Sequence, residues 1–570
     1  MKTSYNMPRI TQKNTTLDSE RRMASGQNSS RYDPLLWQAT LESFVRHLKH
    51  LHSIDETSLV QRSPRRLTTE ALYTIYVMVT FVTLSLLGTS LTLYEHLWKA
   101  SENNNNSRKN GIVSCKTRKK SPDHHFAKVW LVHCRRFLNC FCVLKNGRSL
   151  LSFVPKEDGF DCLHGIRVLS NIWITFGHVS IFYVLSLRNS DDVQGWLEMK
   201  FGKFFFSGNF ANCSFFVLSG FLNGYCFSMD YHRKKGKIDW IYFYFKRFIR
   251  LTPAYMIVMG FYTTLFSYIG SGYLWPVYDT NPVCKENWWW NLLFINNFQS
   301  TLKQCMGWCW YLANDMQFYI ISPLFLISLL RWPRIGYAVS AAFLTISCFV
   351  TFKISEQFRI VDGLSSLEYY FRDMEAFLDQ YWEYFDKIHD KPYSRLGVYL
   401  IGLLLGHFVC QRRFGKIGPL HSITLCCGWL LSVTVMLASL FSLSVREKSV
   451  FISAVFNVVK NVLFSCGLAW IIFVCTTGHG SVINRCLSCR VFLPLSRLSY
   501  CAYLTHMIVL MAHFQATGYH EYFCFMTLLF LCIRVVLWTY LISFGVSLIF
   551  ETPVLRLFAL YRTNWNKKQM

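Results

Sequence analysis

The sequence predicts an all-α fold, a polytopic transmembrane helical bundle of about ten core spans with one further span before them. Three observations predict it. Of 570 residues, 52% are hydrophobic and only 16% are charged, with a mean hydropathy of +0.23, which does not describe a water-facing surface. Apolar stretches of about 20 residues, enough to cross a hydrocarbon core, recur from Leu67 to Phe550. Lipid leaves an open sheet edge without partners, so these stretches must be helices.

In order, the spans fall at roughly 71–95, 164–187, 205–227, 248–272, 308–330, 335–353, 394–411, 420–444, 450–476, 494–514 and 522–550. The organisation is then a polar, disordered outer tail over 1–70, an N-terminal span over 71–95, a basic cytoplasmic linker over 96–159, a transmembrane domain over 160–555 and a cytoplasmic tail over 556–570. In the linker, Lys128 to Leu138 mixes Trp, Leu and Phe with Lys and Arg, the pattern of an interfacial amphipathic helix or of a solvated basic segment. Asn14 and Asn28 begin glycosylation sequons that suit an outer tail.

The net charge of +26 sits mostly in loops and tails, so positive-inside bias and anionic lipid explain it and no nucleic-acid partner is expected. The block His232-Arg-Lys-Lys-Gly-Lys237 with Lys246, Arg247 and Arg250 places that loop in the cytoplasm. The loops at 273–307 and 354–393 then face outward, and the second is acidic, with Glu356, Asp362, Glu368, Asp373, Glu375, Asp379, Glu383, Asp386 and Asp390. Cys284 and Cys305 bracket the first, as a disulfide or as two free thiols. The 21 cysteines show no metal-ligand spacing, and no metal is expected. No lipidation or retrieval signal decides between plasma membrane and endoplasmic reticulum.

The informative helix is Cys162 to His178. At about 100° per residue, Arg167 and His178 are separated by three turns plus about 20°, and by roughly 16.5 Å of rise. His164, Ser170, Asn171 and Thr175 share their face, and Leu169, Ile172, Trp173 and Phe176 take the other. Ionisable side chains in a span are costly against lipid, so this face lines a buried or watered cavity, or a polar seam between helices. A histidine held there is suited to take a proton from a hydroxyl, and an arginine nearer the cytoplasm to hold a phosphate- or carbonyl-bearing donor.

With those residues in place, the chain resembles the acyltransferase-3 family of membrane proteins, in its nose-resistant-to-fluoxetine branch. Arg167 and His178 match the family's Arg-x10-His signature, and Phe215-Phe-Val-Leu-Ser-Gly-Phe221 resembles its Phe-x-x-Ser-Gly segment. Lys246-Arg-Phe-Ile-Arg-Leu-Thr-Pro253 is similar to its Arg-x-x-Arg-Leu-x-Pro loop, and Trp310 to Tyr319 to a segment with an acidic residue where Asp315 stands. Tyr393 to Gly402 and Leu495 to His506 are close to the nose-resistant branch. The resemblance implies that His178 is the general base and Arg167 the donor-positioning residue, with Asp315 orienting or pairing with one of them. Arg250 joins Arg167 in donor binding. Ser219, Arg247 and His506 support the site, His506 as an interfacial histidine near a helix mouth.

Two departures stand out. Many bacterial members have Asp where His164 stands, which removes a carboxylate partner for Arg167. The branch usually carries a larger cysteine-containing outer domain before the first span, where this chain has 70 residues, so a shortened form is expected.

The expected function is membrane-embedded O-acyl transfer from an acyl-CoA-type co-substrate, with no permanently bound cofactor, to a hydroxyl on a lipid, sugar or small molecule. No serine or cysteine nucleophile sits in a recognisable elbow, so direct attack is expected. The alternative is a non-catalytic transporter of lipids or drug-like molecules through the same cavity.

Overall fold

The computed structural model describes residues 66–108, 124–155, 159–187, 193, 195–196, 199–272, 275–276, 278–360, 382–415, 421–441, 449–517 and 522–569. The sequons at Asn14 and Asn28, with the rest of the tail up to residue 65, lie outside the described residues, as do Asp362, Glu368, Asp373, Glu375 and Asp379 of the acidic loop.

The long helices are Thr69–Arg108 (α1), His124–Cys140 (α2), Val143–Leu150 (α3), Cys162–Leu185 (α4), Phe210–Arg233 (α5), Trp240–Thr264 (α6), Trp310–Arg331 (α7) and Pro333–Gln357 (α8). Pro392–Arg413 (α9), Ser422–Phe441 (α10), Val450–Thr476 (α11), Phe492–Thr517 (α12), Phe525–Val546 (α13) and Thr552–Gln569 (α14) follow. Among the described residues, eight helices are long and apolar enough to cross a membrane: Thr69–Trp98, Gly202–Arg233, Gly307–Arg331, α8, α9, α10, α11 and Phe525–Arg562. Three more, α4, α6 and α12, have 24, 25 and 26 residues. At 1.5 Å per residue each rises roughly 36 Å or more, enough to span a bilayer. These three, richer in polar groups, carry much of the site.

The outer helices show lipid what a soluble protein would hide. Leu430 and Leu431 on α10, and Phe530, Leu537, Trp538 and Leu541 on α13, are all exposed. The centre is built around α5, whose buried Phe216 and Phe221 share one core with Phe318 of α7, Tyr399 of α9 and Phe464 of α11.

The α5–α9 pair is the most extensive contact in the bundle, and small residues allow it. Gly220 and Gly224 on α5 face Gly402 and Gly406 on α9, each pair one turn apart. A Cβ at Gly220 would lie 2.3 Å from the Tyr399 carbonyl oxygen, and one at Gly224 the same distance from that of Leu403. The reciprocal positions are tighter: 2.2 Å to the Val217 oxygen at Gly402 and 2.1 Å to the Phe221 oxygen at Gly406. The backbones touch directly, which fixes the height of Ser219 against the neighbouring helices.

Three boundaries differ from the sequence reading. First, α1 continues past residue 95 to Arg108. Second, the helix that the sequence offered at Lys128 to Leu138 is present and longer, His124–Cys140: α2 packs on α1, where Gly88 lets the Leu138 carbonyl approach, and Arg135 pairs with Glu95 at 2.5 Å. The guanidinium of Arg497 on α12 donates to the carbonyls of Ser149, Leu150, Ser152 and Val154, tying this segment to the bundle. Third, the last span does not end at 550. A π-turn, Ser547–Glu551, joins α13 to α14, and the helix runs to Gln569. Pro553 lacks an N–H and its ring opposes the carbonyl four residues back, so the wider turn before it lets the helix continue. On the far side, Cys284 and Cys305 form a disulfide.

The end carrying Lys234–Lys237, Arg331, Arg412 and Arg413 is called the basic end below. The end holding the disulfide is the distal end.

Candidate active site

The site is assembled where α4 and α12 run side by side in the same direction. Near the basic end, Arg167 Nη1 donates to the Ser496 hydroxyl at 3.3 Å, and His164 Nδ1 shares that hydroxyl at 2.8 Å. The histidine in place of a carboxylate thus contacts α12 through a serine hydroxyl. Three turns on, His178 Nδ1 lies 3.2 Å from His506 Nε2, and the two rings are 5.2 Å apart.

The hydrogen bonds of this pair fix its tautomers. His506 Nδ1 lies 2.7 Å from the Tyr503 carbonyl oxygen, which can only accept, so Nδ1 carries the proton. In the neutral ring Nε2 is then an acceptor and takes the proton of His178 Nδ1–H. That leaves the lone pair of His178 on Nε2. His506 lies well inside α12 and only 1% of it is exposed. It is therefore no interfacial histidine at a helix mouth: it packs against α4 because position 506 follows Ser496 by ten residues, almost the spacing of His178 from Arg167.

A second cluster joins α5, α6 and α7. Asp315 accepts from Ser219 Oγ at 2.5 Å and forms an ion pair with Arg247, whose Nη2 also donates to Ser219 Oγ at 3.2 Å. The Arg247 guanidinium stacks 4.5 Å from the centre of the Tyr319 ring, and Asp315 is 5% exposed. Asp315 therefore pairs with Arg247, not with Arg167 or His178, because its face of α7 turns towards α5 and α6.

Loss of one member of a buried pair strands the other. Arg247→Met and Asp315→Leu are each expected to cost about 3–5 kcal/mol of stability, and the double substitution less than the sum of the two. Thermal unfolding of the four proteins in detergent checks this.

Arg250, one turn along α6 from Arg247 and exposed, acts electrostatically on Arg167 and on Glu551. Glu551 closes the π-turn and accepts from Ser547 Oγ at 2.6 Å and from Cys501 Sγ at 3.3 Å. Between the two clusters stands Tyr311, its ring 4.6 Å from Phe216 and 5.6 Å from Tyr503, with its hydroxyl in the field of Arg167, Arg247 and Asp315. Among the described residues no group of three His, Cys, Asp or Glu side chains is placed to hold a metal ion.

The structure thus brings His178 together with His506, and Ser219 with Arg247 and Asp315, while Arg167 stays three turns from His178 on the same face of α4 and Arg250 lies one turn along α6 from Arg247. The sequence reading did not pick out Tyr311, Ser496 or Glu551 as site residues. Glu551 carried a signal: a lone carboxylate in the run Leu548-Ile-Phe-Glu551 is costly in a membrane unless it is used.

This arrangement has a family. A model described as an acyltransferase domain matches residues 160–550, and the chain belongs to that acyltransferase-3 family as an integral membrane protein. It is 29% identical over 519 residues to Nose resistant to fluoxetine protein 6 of Caenorhabditis elegans, a match covering 85% of this chain and 59% of that one. It is 25% identical over 296 residues to Regulator of hypoxia-inducible factor 1 of the same nematode, covering 48% of this chain and 56% of that one. The chain thus spans less than two thirds of either relative. No solved structure matches it.

Proposed function

We propose that the protein is a membrane-embedded O-acyltransferase that moves an acyl group from an acyl-CoA-type thioester to a hydroxyl on a lipid, sugar or small molecule. The observation that carries this reading is the chain Tyr503 carbonyl, His506, His178, which leaves Nε2 of His178 as a proton acceptor inside the bundle.

The donor enters from the basic, cytoplasmic end. Arg167 and Arg250 hold its phosphates, and the extended pantetheine arm crosses the roughly 16.5 Å of rise from Arg167 to His178. His178 Nε2 takes the proton of the acceptor hydroxyl as its oxygen attacks the thioester carbonyl. Tyr311 donates a hydrogen bond to the developing oxyanion, with Arg247 held behind it by Asp315 and Ser219. The tetrahedral adduct then expels the thiolate, which takes the proton back from His178. The products are an ester and free CoA thiol. The membrane is the plasma membrane or the endoplasmic reticulum, which imaging of a tagged chain separates.

Transport without chemistry is the second reading, favoured by the run of polar side chains along α4 and α12 from the basic towards the distal end. The two separate on donor use. Purified protein with acetyl-CoA or longer acyl-CoAs and pooled membrane extract is expected to release thiol, and Arg167→Ala to raise the donor KM at least tenfold. Absence of thiol release with every donor and extract contradicts acyl transfer.

A further inference from the structure

α13 carries a single charged residue, Arg534, and carries it on the face given to lipid. Arg534 is exposed, and Phe530, Leu537, Trp538 and Leu541, all within about 60° of it on the helical wheel, are between 53% and 69% exposed. Side chains so exposed along a span meet acyl chains, and a guanidinium among acyl chains is costly.

Its hydrogen-bond partner is the half-buried His513 of α12. Arg534 Nη2 lies 2.9 Å from His513 Nε2 and 3.3 Å from Nδ1. Arginine only donates, so the imidazole accepts and brings no negative charge. Among the described residues no carboxylate forms an ion pair with Arg534.

The contact with His513 also fixes the depth of the charge. α13 starts at the distal end, and helical side chains lean towards their own N-terminus, so Arg534 reaches distally. Its Cα is nine residues, roughly 13.5 Å of rise, inside Phe525, whereas His513 is four residues, roughly 6 Å, short of the end of α12 at Thr517. The guanidinium is therefore lifted from the hydrocarbon towards the headgroups of the distal leaflet, as snorkelling side chains are. At that boundary the anion that every phospholipid supplies is its phosphate.

We infer that Arg534 and His513 form a binding site for the phosphate of a phospholipid in the distal leaflet, with an acyl chain lying along Phe530, Leu537, Trp538 and Leu541. His513 accepts from Nη2 only, and the rest of the guanidinium fork suits a bidentate contact with phosphate oxygens.

Lipid retention by the full chain, purified in dodecyl maltoside and followed by native mass spectrometry, tests the site. Two probes share the same chains: dioleoyl phosphatidylcholine, which has a phosphate but no net charge to draw it to the basic end, and dioleoylglycerol, which has no phosphate. Wild type is expected to hold the phosphatidylcholine at least about tenfold more tightly than dioleoylglycerol. Arg534→Leu suits the apolar stripe, so it should fold and bind phosphatidylcholine about tenfold more weakly, while Arg534→Lys keeps a snorkelling cation and part of the affinity. A phosphatidylcholine with a diazirine in one acyl chain locates the lipid: it is expected to label α13 between Phe530 and Leu541 in wild type and to lose that label in Arg534→Leu. Equal retention of the two probes, phosphatidylcholine binding unchanged in Arg534→Leu, or an undiminished label on α13 in that variant overturns the inference. No thioester is present in these measurements, so their outcome stands apart from that of the acyl-transfer assay.

Discussion

His178→Ala is expected to lower the turnover number for acyl transfer roughly 10²- to 10⁴-fold while leaving donor affinity within about twofold. The separation follows from geometry: donor phosphates are held near Arg167, about three helical turns from the base. His506 acts through His178 and is a positioning residue. His506→Ala is expected to cost less, about 10- to 100-fold, and to shift the acid limb of the rate profile, because His178 Nδ1–H loses the acceptor that fixes its tautomer. His506→Gln offers an amide oxygen to that proton and an N–H to the Tyr503 carbonyl, so it should recover part of the rate. A purely structural histidine would change protein yield without moving the pH profile. Steady-state kinetics over a pH series, with folded protein quantified by size-exclusion chromatography, checks all three.

The largest effect on stability is expected at the α5–α9 crossing. Gly406→Val puts a branched side chain where a bare Cβ already lies 2.1 Å from the Phe221 carbonyl oxygen. Backbone cannot yield as the tip of a flexible side chain can, so α5 and α9 must part. That displaces Ser219 from Asp315 and breaks the most extensive contact in the bundle. Loss of monodisperse protein is expected, with any remainder unfolding at least 10 °C below wild type, on the order expected for a loss of several kcal/mol. Gly545 on α13 is the control: nothing lies within 4 Å of its Cβ position, so Gly545→Ala should leave yield unchanged or raise stability by up to about 1 kcal/mol.

The membrane fold was legible because lipid imposes length and hydropathy on every span. The polar face of α4 was legible for a related reason. Ser170, Asn171 and Thr175 are buried at 5%, 2% and 3% exposure, and Leu169, on the opposite side of the wheel, is 48% exposed. Periodicity says which side of a helix is protected but not which helix protects it. The partner of Asp315 lies 68 residues away on α6, and that of His178 lies 328 residues away on α12. These pairings arise from tertiary packing, so a wheel offers His164, Arg167 and His178 no partner by name. The linker helix was legible in its mix of Trp, Leu and Phe with Lys and Arg, but the anchorage of the segment after it was not: the anchors are backbone carbonyls received by Arg497, and carbonyls leave no trace in composition. The π-turn before Pro553 was equally invisible, since the proline marks a break that the structure bridges. Arg534 and Glu551 form an intermediate case, each a charge in or beside an apolar segment.

The most direct test of acyl transfer is to follow the acyl group itself. Wild-type and His178→Ala proteins, matched for folded content, are incubated with isotope-labelled acyl-CoA and membrane extract, and the extract is analysed by mass spectrometry for labelled esters. The expected result is a labelled O-acyl ester formed by the wild type and absent with His178→Ala, in molar balance with released CoA. Intact donor in both reactions, with a lipid or small molecule crossing reconstituted bilayers equally in both, would contradict acyl transfer and establish transport.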